Sequence, residues 1–390
     1  MSLYLNKRNE LFEMQLNSKI YVDKTLLIKE TNKVLGKHEP CICVTRPRRF
    51  GKSCALAMLN AYYSKGCDST KLFENLNISK DHSYLTNLNK HNVIWIDMTG
   101  VYCNVDDKST CIDRLKRNIL RDLKEAYPEI NFKYNKIDYA IEEIHEKTND
   151  TFIFLIDEYD LIFREEPYNT KLCKEYFDFL CYLFKCNNAT PYIDLVYMTG
   201  ILPIPKGGIG IHLDIFRESS MLDSRGLSEF IGFTDEEVKE LCSKYSRDYN
   251  KIKDMYCGYN LDGQILYNPW SITHAIENNR IDCYWNQTAS RESLTYYLNY
   301  ENGIFKEATL KLINGDKVQF NSRIFSNWLN KVDHEDSALT VLVHYGYLAF
   351  ESGEYFREDL CYIPNKEIRY DYINGVEDLN WYDIYNSINK

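Results

Sequence analysis

Cys41-Ile42-Cys43-Val44-Thr45-Arg46-Pro47-Arg48-Arg49-Phe50-Gly51-Lys52-Ser53 is the stretch on which the fold turns. Its first five residues form an apolar run that reads as a buried strand, and the helical spacing of Cys54–Ser64 follows the loop. A strand, a tight loop and a helix N-terminus in that order gather free backbone N–H groups, which is what a phosphate requires. In such a loop Gly51 lets the backbone approach a β-phosphate, Lys52 bridges the β- and γ-phosphates, and the Ser53 hydroxyl ligates Mg2+. Pro47, Arg48, Arg49 and Phe50 complete the cradle, with Cys54 opening the helix. GKS alone is a common surface tripeptide; the strand before it and the helix after it carry the reading. The pattern departs from GxxxxGK[ST] at its first position, where Arg46 stands in place of glycine. Glycine relieves strain at that turn, so the loop is expected to take another backbone path, one set by Pro47. Arg48 and Arg49 either add charge beside a triphosphate or reach a neighbouring subunit.

Working outward, Phe152-Ile153-Phe154-Leu155-Ile156-Asp157-Glu158 is the partner feature. A buried strand here delivers two carboxylates. Beside a phosphate loop, Asp157 holds Mg2+ together with Ser53, and Glu158 orients and polarises the attacking water. A strand whose polar end merely meets solvent is the plainer alternative; the joint occurrence with RRFGKS favours an ATPase in which Lys52, Asp157 and Glu158 are catalytic and ATP and Mg2+ are the ligands. Asp160 reads as structural.

Val93–Asp97 and Ile193–Thr199 are two further apolar runs. Helical spacing over Ser109–Tyr127 and Thr170–Lys185 separates the runs, which predicts an α/β fold with a doubly wound parallel sheet. Asp97 caps its strand or nears the nucleotide, and the capping role is favoured. Thr199 serves as a γ-phosphate sensor or as a structural residue. Arg217 and Arg225 read as solvated rather than trans-acting arginines. Beyond residue 205 the character changes. Gly207, Gly208 and Gly210 mark a loop; Thr234 and Glu237 form a capping box for a helix Asp235–Tyr245; Asn268-Pro269-Trp270-Ser271 starts another helix, running through Ile276. Helices over Ser322–Lys331 and Asp336–Tyr345, then a hairpin of Tyr347–Glu351 and Glu354–Tyr362 turning at Ser352-Gly353, predict a winged-helix-like end. The expected division is residues 1–205 as the ATPase core, 206–300 as a helical subdomain and 301–390 as the winged-helix-like part.

Composition narrows the class. A hydrophobic fraction of 44% supports sizeable cores, and a formal net charge of -10 argues against a body built to coat nucleic acid. The 13 cysteines include no CxxC pair, so free thiols in a reducing compartment are expected, with Cys41, Cys43 and Cys54 as small core residues. No apolar stretch of membrane-spanning length and no signal-peptide core occur, so a cytoplasmic protein without membrane contact is expected. The eight histidines are scattered, without metal-ligand spacing.

Several motifs taken together, Tyr21-Val22-Asp23-Lys24-Thr25, Thr45–Ser53, Leu155–Asp160, Thr199–Ile204, Gly232–Val238, Tyr267–Ser271 and Tyr362–Glu367, resemble the bacterial AAA-ATPase-like proteins over nearly the whole chain and in the family's order. The resemblance implies an ASCE-type P-loop NTPase core with an appended helical and winged-helix-like part. It implies that Tyr21, Asp23 and Lys24 lie near the adenine or the loop, that Pro269 of the Asn268-Pro269 turn does the same, and that Arg46 is no sign of a dead site. Longer members continue into a PD-(D/E)xK nuclease-like domain; the stretch after Pro364 is too short for one, so any effector is expected to be a separate protein. The expectation is a Mg2+-dependent ATPase acting as a nucleotide-driven switch, of the kind used in phage defence or by mobile elements. The alternative is a nucleotide-gated binding module that recruits nucleic acid or a protein partner without turnover. A nucleic-acid motor comes third, and homo-oligomerisation is left open.

Overall fold

The computed structural model describes residues 2–185, 191–206, 213–285, 291–298, 306–325, 327, 334–354, 358–379 and 381. The glycines at 207, 208 and 210 lie outside them. Five strands, β1 (Cys41–Thr45), β2 (Asn92–Asp97), β3 (Phe152–Asp157), β4 (Ile193–Gly200) and β5 (Arg217–Ser219), form one parallel sheet in the order β2-β3-β4-β1-β5. The period of two sorts the apolar runs onto two faces. Ile42, Val44, Ile153, Leu155, Leu195 and Tyr197 pack with Leu56 and Leu59 of the helix Lys52–Tyr63. Cys41, Cys43, Phe152, Phe154, Ile156 and Met198 pack instead with Ile112, Leu115, Ile119, Phe177 and Leu180, from the helices Cys111–Ala126 and Thr170–Phe184. Both faces are covered, which is why β1 and β3 read as unbroken apolar runs rather than alternating ones.

β4 lies between β1 and β3. All strands are parallel, so the loop after β1, the acids closing β3 and Thr199–Gly200 of β4 emerge together at the C-terminal edge. This is the α/β architecture expected, a parallel sheet covered by helices on both faces. β5 was not expected: it has three residues, and two of them, Arg217 and Glu218, are charged. Cys41 and Cys43 are buried as expected, but Cys54 is exposed. It falls in the first turn of a helix that begins at Lys52, ahead of the buried run from Ala55 onward, and is therefore no core residue.

The capping box forms as read: the Thr234 hydroxyl accepts from the Glu237 N–H, and the Glu237 carboxylate accepts from the Thr234 N–H at 2.8 Å. Residues 213–285 are not purely helical. Phe233–Thr234, Gln264–Tyr267 and Tyr259–Leu261 make a small antiparallel sheet beside the helices Asp235–Lys244, Tyr249–Tyr256 and Pro269–Asn278. Further on come the helix Lys306–Ile313, the strand Val318–Phe320, the helix Glu335–Tyr345 and the hairpin Ala349–Glu351 with Asp359–Tyr362. Val318–Phe320 joins that hairpin as a third strand. The helix expected over Ser322–Lys331 does not start at Ser322: Ser322–Phe325 form a turn, and most of the remainder lies outside the described residues.

Glu367, at the start of the helix Lys366–Asp378, ties these parts together. Its carboxylate accepts from the Tyr284 N–H at 2.7 Å, the Trp285 N–H at 2.9 Å and the Ser271 hydroxyl at 2.8 Å. Burial pushes this carboxyl from the ordinary value of 4.5 up to about 7, against the pull of those donors. Between these two values the unfolded chain releases the proton while the native chain keeps it, so native stability falls as pH rises through the window. Equilibrium denaturation from pH 4.5 to 7 is expected to show a decline on the order of 3 kcal/mol that Glu367→Gln removes. Equal slopes for the two proteins would contradict it.

Candidate active site

The loop after β1 has a definite backbone path. The Arg46 N–H donates to the Gly200 carbonyl at 3.1 Å, so the β1–β4 ladder runs one residue past Thr45. Arg46 does not have a positive φ, and no glycine is needed there; the turn falls later, at Arg49 (φ 65) and Gly51 (φ 94). A Cβ on Gly51 would meet nothing within 4 Å, so the backbone conformation rather than crowding demands glycine. Arg46 itself is fully buried: its guanidinium donates to the Thr45 carbonyl at 2.8 Å, the Ser219 carbonyl at 3.2 Å and the Ser219 hydroxyl at 3.1 Å. Burial depresses its pKa to about 10. The residue that breaks the motif thus fastens the loop to the edge strand β5.

Lys52 opens the helix. Its ammonium donates to the Arg46 and Pro47 carbonyls at 3.0 Å each and lies 3.6 Å from Glu158 Oε1. Asp157 is buried beside it, accepting from the Thr199 hydroxyl at 2.6 Å, with the Ser53 hydroxyl near enough to favour its charged form. Burial pushes the Asp157 carboxyl up, against the pull of both hydroxyls. Glu158 sits at φ 51, a left-handed conformation that glutamate rarely adopts. Its Oε2 accepts from Arg164 at 2.5 Å. Burial opposes its ionisation, but Lys52, Arg164 and Arg48 outweigh burial and hold the carboxyl below its ordinary value. Asp160, fully buried, accepts from Arg164 Nε at 2.9 Å and from the N–H groups of Ile201 (3.1 Å) and Leu202 (2.8 Å), which suits the structural role read for it. Lys52, Ser53, Asp157, Glu158 and Thr199 therefore meet at one edge of the sheet.

Other expected residues have partners of their own. Asp23 accepts from the Thr25 hydroxyl (2.6 Å) and the Asn77 N–H (2.7 Å). Lys24 donates to the Glu229 carbonyl and the Glu237 carboxylate, both at 2.6 Å. Tyr21 packs edge-on against Phe12, and burial raises its pKa. Asn268 caps the helix that Pro269 begins, and its Nδ2 donates to the Arg48 carbonyl at 3.3 Å. The Arg49 guanidinium lies 4.5 Å from the centre of the Trp270 ring. Asp97, expected to cap its strand, instead caps the short helix Met98–Cys103 that follows β2, its carboxylate accepting from the Thr99 N–H. Arg225 pairs with Asp223, and Arg217 donates to the Arg225 carbonyl. Arg164 was missed; the signal available was a lone cation four residues after Asp160.

The site fits a Mg2+-bound triphosphate. The first N–H groups of the helix, from Lys52 to Cys54, have no intrahelical acceptor, and none bonds elsewhere among the described residues. Mg2+ needs few protein ligands when phosphate oxygens and water supply the rest, and Ser53 with Asp157 meets that need. Among the described residues no group of three or more His, Cys, Asp or Glu side chains could hold a metal, and no helix is long and apolar enough to cross a membrane.

A family model described as Predicted AAA-ATPase matches residues 9–210. An uncharacterized protein in the vnfD 5′ region of Azotobacter chroococcum mcd 1 is 25% identical over 280 residues, covering 69% of this chain and 51% of the relative. The chain thus spans about half the length of the curated relative it matches. Among solved structures, the Aeropyrum pernix ORC1 protein in complex with DNA is similar over 97% of this chain and 98% of that one, at 11% identity and a TM-score of 0.30. That likeness is too slight to bear on function.

Arg164→Met leaves Asp160 buried without its cation. Loss of one partner of such a pair costs about 3–5 kcal/mol, so urea denaturation is expected to show a clearly lower midpoint, partly restored by Arg164→Lys. An unchanged midpoint would mean the pair does not hold the end of β3.

Proposed function

The chain belongs to the family described as Predicted AAA-ATPase, and from that premise we propose that it binds ATP with Mg2+ and hydrolyses it as a nucleotide-driven switch. In this reading Lys52 carries the β- and γ-phosphates, Ser53 and Asp157 hold Mg2+, Thr199 senses the γ-phosphate, and Glu158 orients the attacking water. The observation that supports it most is the convergence at one sheet edge: Lys52 Nζ 3.6 Å from Glu158 Oε1, with the Thr199 hydroxyl on Asp157 and the Ser53 hydroxyl near enough to favour the charged form of that carboxyl.

The switch reading draws on what grips the loop. Asn268 holds the Arg48 carbonyl, Trp270 stacks under Arg49, and Phe50 meets Tyr259 edge-on at 5.4 Å. A Cβ added to Gly346 would come within 2.7 Å of Pro47. Residues from 206–300 and from 301–390 therefore touch the loop directly, and a phosphate that draws on it pulls on both. We assign 1–205 to the ATPase core, 206–300 to a largely helical subdomain and 301–390 to a winged-helix-like part. A homo-oligomer, a separate effector protein or nucleic acid receives the output, in a bacterial cytoplasm and in phage defence or mobile-element biology.

One observation favours a second reading, a module that binds nucleotide without turning it over: both oxygens of Glu158 face cations, Arg164 and Lys52. Steady-state phosphate release separates the two. Glu158→Gln is expected to retain ATP binding and lose about 10² or more in rate. If wild type and variant both bind ATP and both release no phosphate, the non-enzymatic module stands instead.

Coupling has its own test. Hydrogen exchange over Pro269–Asn278 is expected to slow when Mg2+ and a non-hydrolysable ATP analogue are added, and that difference is expected to shrink by about half or more in Trp270→Ala, which removes the stacking partner of Arg49. No nucleotide effect on this helix in wild type would contradict the switch.

A further inference from the structure

Five cations surround the loop, and four of them have fixed partners. Arg46 is engaged with Thr45 and Ser219, Arg49 with the Trp270 ring, Lys52 with two loop carbonyls and Glu158, and Arg164 with Glu158 and Asp160. Of these five, only the Arg48 guanidinium has no hydrogen bond, ion pair or ring contact with the described residues, although the residue is half-buried. Its backbone is not free: the carbonyl is pinned by Asn268, and the chain reverses immediately after it at Arg49. The side chain stands close enough to Glu158 to lower that carboxyl, and close enough to Tyr345 and Tyr347 to act on theirs. A partly desolvated guanidinium without an acceptor is unfavourable, and a phosphoryl oxygen supplies the acceptor with a charge to match.

We propose that Arg48 is the catalytic arginine of this site, reaching the γ-phosphoryl group of the bound nucleotide from within the same chain; the proposal rests on the ATPase reading above. In the step it serves, a water oxygen forms a bond to the γ-phosphorus while the bridging bond to the β-phosphate breaks. The electron pair of that bond stays on ADP. One proton of the water remains on the released phosphate and the other passes to solvent. Negative charge gathers on the γ-phosphoryl oxygens as the bond loosens, and a forked guanidinium answers it better than a point ammonium. Lys52 and Ser53 already account for the β-phosphate and the metal. Arg164 holds the water-orienting glutamate. Arg48 is the cation left over, on the loop itself and near enough to Glu158 to lower its carboxyl.

The test compares Arg48→Ala and Arg48→Lys with wild type in three measurements. Displacement of a fluorescent nucleotide gives affinities for Mg-ADP and for Mg-ADP with fluoroaluminate, which imitates the transferring phosphoryl group. Phosphate release gives kcat. Mixing Arg48→Ala with Lys52→Ala asks whether the arginine of one chain serves the loop of another. Arg48→Ala is expected to keep ADP affinity within about twofold, to lose about 100-fold in fluoroaluminate-complex affinity and about 10³-fold in kcat, and to gain nothing on mixing. Arg48→Lys, which keeps the charge and guards against a misfolded alanine variant, is expected to keep ADP affinity and recover only a small part of the rate. Unchanged fluoroaluminate affinity and kcat in Arg48→Ala would overturn the proposal, as would activity restored by mixing, which would put the arginine in trans. A wild type that binds neither Mg-ADP nor the fluoroaluminate complex would instead overturn the ATPase reading, and this proposal with it.

Discussion

The Arg164 guanidinium lies at the C-terminal end of β3 with two carboxylates on it, Glu158 and Asp160, and much else follows from that one contact. The Asp160 oxygen that meets Arg164, Oδ2, also accepts from the N–H groups of Ile201 and Leu202, so the end of β3 is tied to the chain leaving β4. The fit is tight: a Cβ on Gly200 would come within 2.6 Å of Asp160 Oδ1 and 2.7 Å of the Tyr159 ring. Ion pairs in a protein interior add little net stability over apolar packing, but they fix direction. Here they hold Glu158, in an uncommon backbone conformation, facing Lys52 across the loop.

The same economy appears at the loop. Arg46 is a charge where the usual motif has glycine, and the protein uses it as a buried strut to β5 rather than as a phosphate contact. Through Ser219 the strut continues: the Ser219 hydroxyl donates to the Ser224 carbonyl, and Ser224 in turn bonds to Asp262 in the turn between Tyr259–Leu261 and Gln264–Tyr267. Besides the contacts of Phe50 with Tyr259 and of Pro47 with Gly346, two polar routes leave the loop for the second half of the chain, one through Arg46 and β5 and one through Asn268 and Trp270. Neither involves a linker. Direct packing of the loop against residues so distant in sequence is the kind of contact that the proposed switch needs.

How much of this was legible in the sequence depended on the range of the interaction. β1 and β3 were read to the residue because strands covered on both faces leave unbroken apolar runs, and the Thr234–Glu237 box because its partners are three residues apart. The loop between β1 and the helix Lys52–Tyr63 was legible because its signal, a strand followed by RRFGKS and a helix, is local. β5 was not, having three residues and an acid among them. The small sheet around Gln264–Tyr267 escaped notice because its strands are two to four residues long. Arg164 was missed because its task is set by burial, which a sequence does not print. The grip of Asn268 on Arg48 joins residues 220 positions apart; the turn was singled out by its motif, its partner only by the fold. Asp23 and Lys24 carry the family's motif, yet their side chains face Thr25, Asn77, Glu229 and Glu237.

The central claim is that the ammonium of Lys52, the hydroxyl of Ser53 and the carboxylates of Asp157 and Glu158 surround one nucleotide. A crystal structure with Mg2+ and a non-hydrolysable ATP analogue tests it most directly. The account predicts β- and γ-phosphate density within hydrogen-bonding distance of Lys52 Nζ, with Mg2+ between Ser53 and Asp157. Nucleotide bound at another edge of the sheet, or Lys52 still on the Arg46 and Pro47 carbonyls with the analogue in place, would contradict it.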